Sequence, residues 1–429
     1  MTPVPRIMIT GMGAVCSAGL TIEDIWDAVL CGRSAILPIR QWDADRWPVH
    51  LSAEVSGVDN RTLVADRKLH KLLSRTDLFG LYAGDQAIAA SGLPSYRDGL
   101  DEDARRQFND RSGIIVGCGG GNYRVNDEFF PLMTAAGGDL TKFGQELSET
   151  VNPMWLLRIL PNNVLCHVGI RHQFKGANAC ITNHCAGSVQ AVAEASETLR
   201  HGEADRALAI GHDAPFEPEL VLHYQRLGLL STDMVRPFDR HRNGTIIGEG
   251  AGALVLEAEA AARARGANVL GEFLGSGSVT EATGILDVRS DGDGVTRAFE
   301  LALDDAGLSP DDVGMIVAHG NGTRASDLSE ARGIRRLFRD SPPPVTGFKW
   351  AYGHLIAASG IVDVVMALTA LRHGVVPGIP VLEELDPELA PFPVLPVAQV
   401  PKSDIAAIIC RGFGGMNVVI LVRAGTATG

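Results

Sequence analysis

One cysteine and two histidines stand in segments of unusual composition: Asn183-His184-Cys185-Ala186-Gly187-Ser188, Ala318-His319-Gly320-Asn321-Gly322-Thr323 and Lys349-Trp350-Ala351-Tyr352-Gly353-His354. A thiol and two imidazoles are the groups that thioester chemistry needs. The thiol takes an acyl group, and the imidazoles handle charge and protons at a second substrate. A serine in place of the thiol would be a poorer leaving group once the acyl group has to be released.

The elements around these residues position them. Arg171 to Ile181 reads as a turn and then a strand, and the residues after Cys185 are small or apolar up to Leu199-Arg200-His201-Gly202. Basic side chains followed by glycine stop a helix. Cys185 therefore opens a buried helix, whose positive end is expected to lower the thiol pKa. Val313 to Ala318 reads as a strand ending at His319, the kind of strand end where open α/β sheets collect ligands. Asp327 and Glu330 follow within one helical turn; taken alone, that pair reads as a solvated acidic face. Pro344 to Phe348 reads as another strand, Lys349 and His354 bracket a turn, and Ala357 to Leu371 is a second small, apolar helix ending Leu371-Arg372-His373-Gly374. Strand, turn and buried helix recur in the same order, so the architecture is duplicated. The first half runs over 1–258 and carries the cysteine. The second runs over 259–429 and carries both histidines, and the helix-forming stretch Ala258–Gly266 leads into it.

With these segments in place, the chain resembles the β-ketoacyl synthases, condensing enzymes of fatty-acid and polyketide synthesis in the thiolase-like superfamily. The resemblance runs from Arg6 to about Val422. Arg6 to Gly13 is similar to the family's first strand. Arg236-Pro237-Phe238-Asp239-Arg240-His241-Arg242-Asn243-Gly244, continuing to Gly248-Glu249-Gly250-Ala251-Gly252, is a specific family signature. His319 with Gly320, Thr323, Asp327 and Glu330 resembles the first histidine motif. Lys349, Gly353, His354 and Gly360 resemble the second, and Gly412 to Asn417 the glycine-rich closing loop.

The resemblance implies an α/β, thiolase-like fold with a duplicated five-layer αβαβα architecture. It implies a decarboxylative Claisen condensation of a Cys185-bound acyl group with malonyl-acyl carrier protein to give a β-ketoacyl carrier protein. His319 and His354 would bind the malonyl thioester, promote its decarboxylation and stabilise the enolate, to which a neutral imidazole N–H can donate. The backbone N–H groups of Cys185 and Phe413 would form the oxyanion hole. Phe413, between Gly412 and Gly414, would gate the acyl pocket. Lys349 and Glu330 would hold the histidines in place, and Asn321 and Thr323 would contact pantetheine. Asp363 falls where the family has an acidic residue, and on its own reads as a buried, satisfied carboxylate. No cofactor or metal is implied, because the substrates ride on the phosphopantetheine of an acyl carrier protein. The implied partners are that carrier and a second subunit, either another copy or a chain-length-factor-like chain.

Several positions depart from the family pattern. Asn183 and His184 stand where a threonine and a small residue usually precede the nucleophile, and the histidine reads as a packing variant rather than a fourth polar participant. Asn321 replaces a threonine, Trp350 and Tyr352 replace smaller residues, and Arg411 replaces an aromatic. These departures point away from ordinary fatty-acid elongation and towards a specialised type II polyketide or polyene-like pathway. Arg411 would hold the closing loop through a carboxylate, meet a polar, unsaturated or oxygenated acyl chain, or point outward and be inert. Two other readings stay open. One is a chain-length-factor-like partner of a ketosynthase heterodimer, although such chains usually lose the nucleophile. The other is a thiolase-type acyl-CoA transferase, faintly suggested by Cys410.

Composition agrees with a cytoplasmic enzyme. The seven cysteines show no C-x-x-C spacing, so neither a disulfide framework nor a zinc site is indicated. No basic-plus-apolar leader opens the chain, and no apolar run is expected to reach membrane-spanning length. A net charge of −13 argues against nucleic acid. An acidic carrier protein would then need a local basic patch, for which Arg61, Arg67, Lys68, Lys71 and Arg75 are the candidate. The glycine runs Gly11–Gly13 and Gly117–Gly121 are weak matches to nucleotide-binding loops and read as tight turns at strand ends. Ala135 to Leu160 reads as a surface excursion, and 425–429 as a disordered tail.

Overall fold

The computed structural model of the protein describes residues 4–120, 129–339 and 341–425. Ten strands form its main sheet: β1 (Ile7–Cys16), β2 (Ser112–Cys118), β3 (Asn178–Ile181), β4 (Arg206–Asp213), β5 (Gly250–Ala258), β6 (Gly271–Thr280), β7 (Met315–Val317), β8 (Val345–Thr346), β9 (Ile405–Gly412) and β10 (Met416–Ala424). Their order is β8-β7-β9-β10-β6-β1-β5-β4-β2-β3. Read outward from the middle, β1-β5-β4-β2-β3 and β6-β10-β9-β7-β8 are the same pattern twice. The outer pairs are parallel in both halves and the inner pairs antiparallel. The two five-stranded sets join along one short antiparallel seam, Ile7–Ile9 against Gly271–Phe273.

Helices complete the layers. On one outer face α1 (Arg75–Ser91) covers β1, β5 and β4, and on the other α3 (Asp293–Ala306) covers β6 and β10, with α4 (Arg324–Phe338) beside it. Between the two sets lie α2 (Gly187–Arg200) and α5 (Ser359–His373), which touch each other as well as strands on either side. This is the duplicated five-layer order expected. α5 is buried from Ser359 to Leu371, which explains its small and apolar residues, whereas α2 is buried on most of its surface and exposes Glu194. Their spacing demands glycine: a Cβ on Gly360 would stand 2.4 Å from Val189 Cγ1, and one on Gly211 would stand 2.2 Å from Ser188 Cβ. Ser188 Oγ accepts the Ile361 N–H at the same crossing.

Three expectations change. Gly11 and Gly13 lie inside β1 rather than in a turn, where added side chains would collide with the carbonyls of Ala87 and Ala83 in α1. They serve close strand–helix packing. Ile356–His373 is long and apolar enough to cross a membrane by length and composition, but 89% of that window is buried inside the protein, as a core helix requires. Within the basic cluster, half-buried Arg75 donates to Glu249 and to the Val55 carbonyl, so it is spent internally, whereas Arg61, Arg67, Lys68 and Lys71 are exposed. Gly117 and Cys118 end β2, while Gly121 and 426–429 lie outside the described residues. The excursion over Ala135–Leu160 contains two helices, Leu140–Thr150 and Trp155–Ile159, neither with a buried residue.

Candidate active site

Cys185 sits in a 3-10 turn, His184–Ala186, between β3 and α2, so the helix proper begins two residues later than the cysteine. His184 enters this turn with φ 47°, a left-handed backbone. The duplicated position has the same form. Ile356, with φ 46°, opens the 3-10 turn Ile356–Ala358 ahead of α5, and Ala357 falls where Cys185 stands in the first half. The turn is therefore a property of the fold, and what differs is the chemistry mounted on it. Burial dominates the thiol: it pushes Cys185 well above the ordinary cysteine value, reinforced by Cys410, against the opposing charge of Lys349. The lowered thiol pKa expected from the helix terminus gives way to a resting neutral thiol. The Cys410 thiol, itself pushed up to about 12 by burial, donates to the Cys185 carbonyl at 3.0 Å and packs behind the turn.

Both histidines reach the same place. His354 Nε2 is 3.4 Å from Cys185 Sγ, and the His319 and His354 rings meet edge to face at 5.1 Å. Backbone N–H groups occupy their other nitrogens. Arg411 N–H donates to His319 Nδ1 at 3.3 Å, and Ile356 N–H donates to His354 Nδ1 at 3.2 Å, with the Ser359 hydroxyl beside it at 2.8 Å. A nitrogen accepting an N–H carries no proton, so both rings hold their proton on Nε2. Burial, then Lys349, His354 and Arg411, hold His319 well below the ordinary histidine value; burial, Lys349 and His184 do the same for His354. Both are neutral N–H donors.

The supporting residues are buried behind them. Glu330 accepts the His319 N–H at 2.6 Å and the Gly320 N–H at 2.9 Å, so it holds the loop rather than the ring. Asp327 accepts the N–H groups of Phe238 and Gly322. Neither carboxylate is solvated, contrary to the surface reading of that pair. Lys349 pairs with Asp363 at 3.2 Å, and the Tyr352 hydroxyl donates to the other Asp363 oxygen at 2.9 Å. Asp363 is thus a satisfied core carboxylate. Trp350 and Tyr352 are fully buried and off the cavity, so they carry no information about the acyl chain.

Arg411 resolves in favour of the loop. Its guanidinium donates to Asn417, to the Ser326 carbonyl, to the Ser329 hydroxyl and to Glu281 at 3.1 Å, all buried. Arg411→Phe is expected to leave Glu281 with only the Asn417 amide and the Arg289 N–H, and to destabilise the protein by about 3–5 kcal/mol. Denaturant unfolding measures this, and a Glu281→Leu change in the same chain should recover much of the loss. Unchanged stability together with an altered ratio of saturated to polyunsaturated products would return Arg411 to the acyl chain.

A cavity of about 210 Å³ collects the site. Cys185, His319, His354, Asn321, Thr323, Gly412 and Phe413 line it, as does Arg411, whereas Lys349, Glu330 and Gly414 do not. Asn321 Oδ1 accepts both the N–H and the hydroxyl of Thr323, which fixes this wall. Leu227, Leu229, Ile247, Ile285 and Leu286 add apolar wall suited to a hydrocarbon chain, while Thr245, Glu281, Asp287 and Ser326 add polar groups. Phe413 stacks on His184 at 5.0 Å and on Tyr224 at 6.0 Å, closing the cavity beside the thiol. Tyr224 escaped the sequence reading because nothing in Pro218–Arg226 distinguishes it from an ordinary amphipathic helix residue.

Fold and site together define a condensing acyltransferase of the thiolase-like class. The chain belongs to the β-ketoacyl synthase family: the model of the β-ketoacyl synthase N-terminal domain matches residues 5–262, and that of the C-terminal domain matches residues 270–383. It is 31% identical to a 3-oxoacyl-[acyl-carrier-protein] synthase 2 of Synechocystis sp., over 97% of this chain and 98% of that one. It is 30% identical to nodulation protein E of a Rhizobium sp., over 97% and 99%. The solved ishigamide ketosynthase/chain length factor superposes with a TM-score of 0.87 at 28% identity, covering 99% of this chain and 100% of that one.

Proposed function

We propose that the protein joins a Cys185-bound acyl group to a malonyl unit carried on an acyl carrier protein, releasing CO2 and a β-ketoacyl thioester. The observation that carries this reading is the pair of neutral imidazoles whose Nδ1 atoms are both occupied by backbone N–H groups, leaving two Nε2–H donors on the cavity that holds the thiol. When the malonyl carboxylate departs as CO2, the electron pair it leaves passes to the thioester oxygen. Two fixed donors stabilise that oxygen without either ring having to change charge. The carbanion carbon then attacks the acyl-Cys185 carbonyl, the C–S bond breaks, and the sulfur regains a proton. The N–H groups of Cys185 and Phe413 serve as oxyanion hole, Phe413 as gate, and Asn321 and Thr323 as the pantetheine wall. Glu330 and Lys349 support the histidines from behind.

A carrier partner is supported by the name of the Synechocystis relative, and Arg61, Arg67, Lys68 and Lys71 are the exposed cations for an acidic carrier. Pairing with a second subunit, of the same or of chain-length-factor type, is supported by the likeness to the ishigamide ketosynthase/chain length factor. The halves divide at 258/259, where β5 gives way to the helix Glu259–Ala264. A specialised polyketide or polyene pathway in the cytoplasm is the setting we favour, resting on Asn321, His184 and that same likeness. The non-catalytic partner reading is disfavoured by the intact thiol and both imidazoles.

The test supplies acyl carrier thioesters with either malonyl or acetyl extenders and detects the product carrier by mass. A β-keto product with CO2 release, from malonyl only, is expected. Product from acetyl-CoA would make the enzyme a thiolase. No product until a cysteine-bearing partner is added would make the chain the passive subunit.

A further inference from the structure

Two ring nitrogens stand against Cys185 Sγ: His354 Nε2 at 3.4 Å and His184 Nδ1 at 3.1 Å. They are not equivalent. His354 Nδ1 accepts the Ile356 N–H, so its Nε2 carries hydrogen and only donates to the sulfur. A neutral thiol that attacks a thioester must give its proton to something with a lone pair, and His354 offers none on that side. His184 does. Its Nε2 lies 2.7 Å from the Tyr224 hydroxyl; in the tautomer where that oxygen accepts an Nε2–H, Nδ1 is bare towards the sulfur. Phe413 stacks over both rings and shields this pair from solvent.

We propose that His184 is the general base of acyl loading, a catalytic residue in contact with the reacting sulfur, and that Tyr224 is its positioning residue. As Sγ bonds to the incoming acyl carbon, its proton moves to His184 Nδ1. The bond from that carbon to the pantetheine sulfur breaks, and the leaving sulfur takes the proton from Nδ1, so the imidazole ends neutral. Burial holds His184 down at about 4, which keeps the imidazole neutral before the thiol reacts. The division of labour follows: His184 serves the first half-reaction, and His319 and His354 the second. On this proposal His184 is a polar participant as well as a packing partner of Phe413.

This rests on the condensing reaction proposed above, and the experiment separates the two. His184→Gly suits the left-handed φ and removes only the imidazole. Single-turnover acylation of Cys185 by an acyl carrier thioester, followed by intact mass, is expected to slow at least about 10²-fold, the lower range for a positioned general base. Added imidazoles should restore loading, better as their basicity rises. Enzyme loaded by prolonged incubation should still condense with malonyl carrier within several-fold of the unaltered protein. Tyr224→Phe should slow loading less than His184→Gly. Loading by His184→Gly at the unaltered rate would overturn the proposal. So would a loss that no imidazole restores while the melting temperature is unchanged. Failure of the unaltered protein to acylate Cys185 at all would instead overturn the condensing reaction itself.

Discussion

Cys185→Ala is expected to abolish both acyl loading and condensation while the protein stays folded. The cysteine is buried in a turn whose backbone recurs at Ile356–Ala358 without any thiol, so the turn does not depend on sulfur. Removing one buried sulfur costs about 1 kcal/mol, the scale of a single buried methylene-sized group. The activity loss should be complete because the other thiols are badly placed. Cys410 points at the Cys185 carbonyl, and Cys118 and Cys180 face each other across β2 and β3, both donating to the Pro161 carbonyl. Intact-protein mass after incubation with acyl carrier thioester is the measurement. Acyl mass persisting on the variant, mapped to Cys180 or Cys410, would sink the assignment of the nucleophile.

The second large effect separates the histidines from the thiol. His319→Ala and His354→Ala are each expected to accept an acyl group on Cys185 and then fail to condense it, with losses of at least about 10²-fold, the scale of removing one oxyanion-type donor. His319 is held through Arg411 N–H and through Glu330 on its own backbone, and His354 through Ile356 N–H and Ser359, so the two donors are positioned independently. Loading followed by mass, then malonyl-dependent CO2 release, reads the two half-reactions apart. Near-normal condensation by either variant would contradict the donor role.

Much of this was legible in the chain. The thiol, both histidines and the two central helices announce themselves through small-residue runs and helix stops, because a largely buried helix leaves a compositional trace. The duplicated order of strand, turn and helix was readable for the same reason. Partnerships across the fold were not. Asp327 and Glu330 look like a wet helix face until the loops they hold are seen to fold back over them. Trp350 and Tyr352 look like pocket residues from their nearness in sequence to His354, yet the short helical turn Lys349–Tyr352 carries them into the core. Arg411 offered three readings, and its burial with the position of Glu281, 130 residues away in sequence, decides among them. Gly11 and Gly13 mimic a turn because strand glycines pressed against a helix have the same composition. His184 could not be separated from packing without the distance to the sulfur.

The repeated turn has one more consequence. The two left-handed residues that open it, His184 and Ile356, make the centre of the molecule nearly two-fold symmetric, with Cys185 on one side and Ala357 on the other. On the second side the Ala357 N–H is already engaged by Asp213. Symmetry is broken at this pair of positions, as it is by the two histidines of the second half, and the break gives the site a direction. The electrophile can be parked on one wall only, so the extending unit always approaches from the same side. The acyl group and the extending unit therefore keep fixed places, without any part of the protein having to turn around.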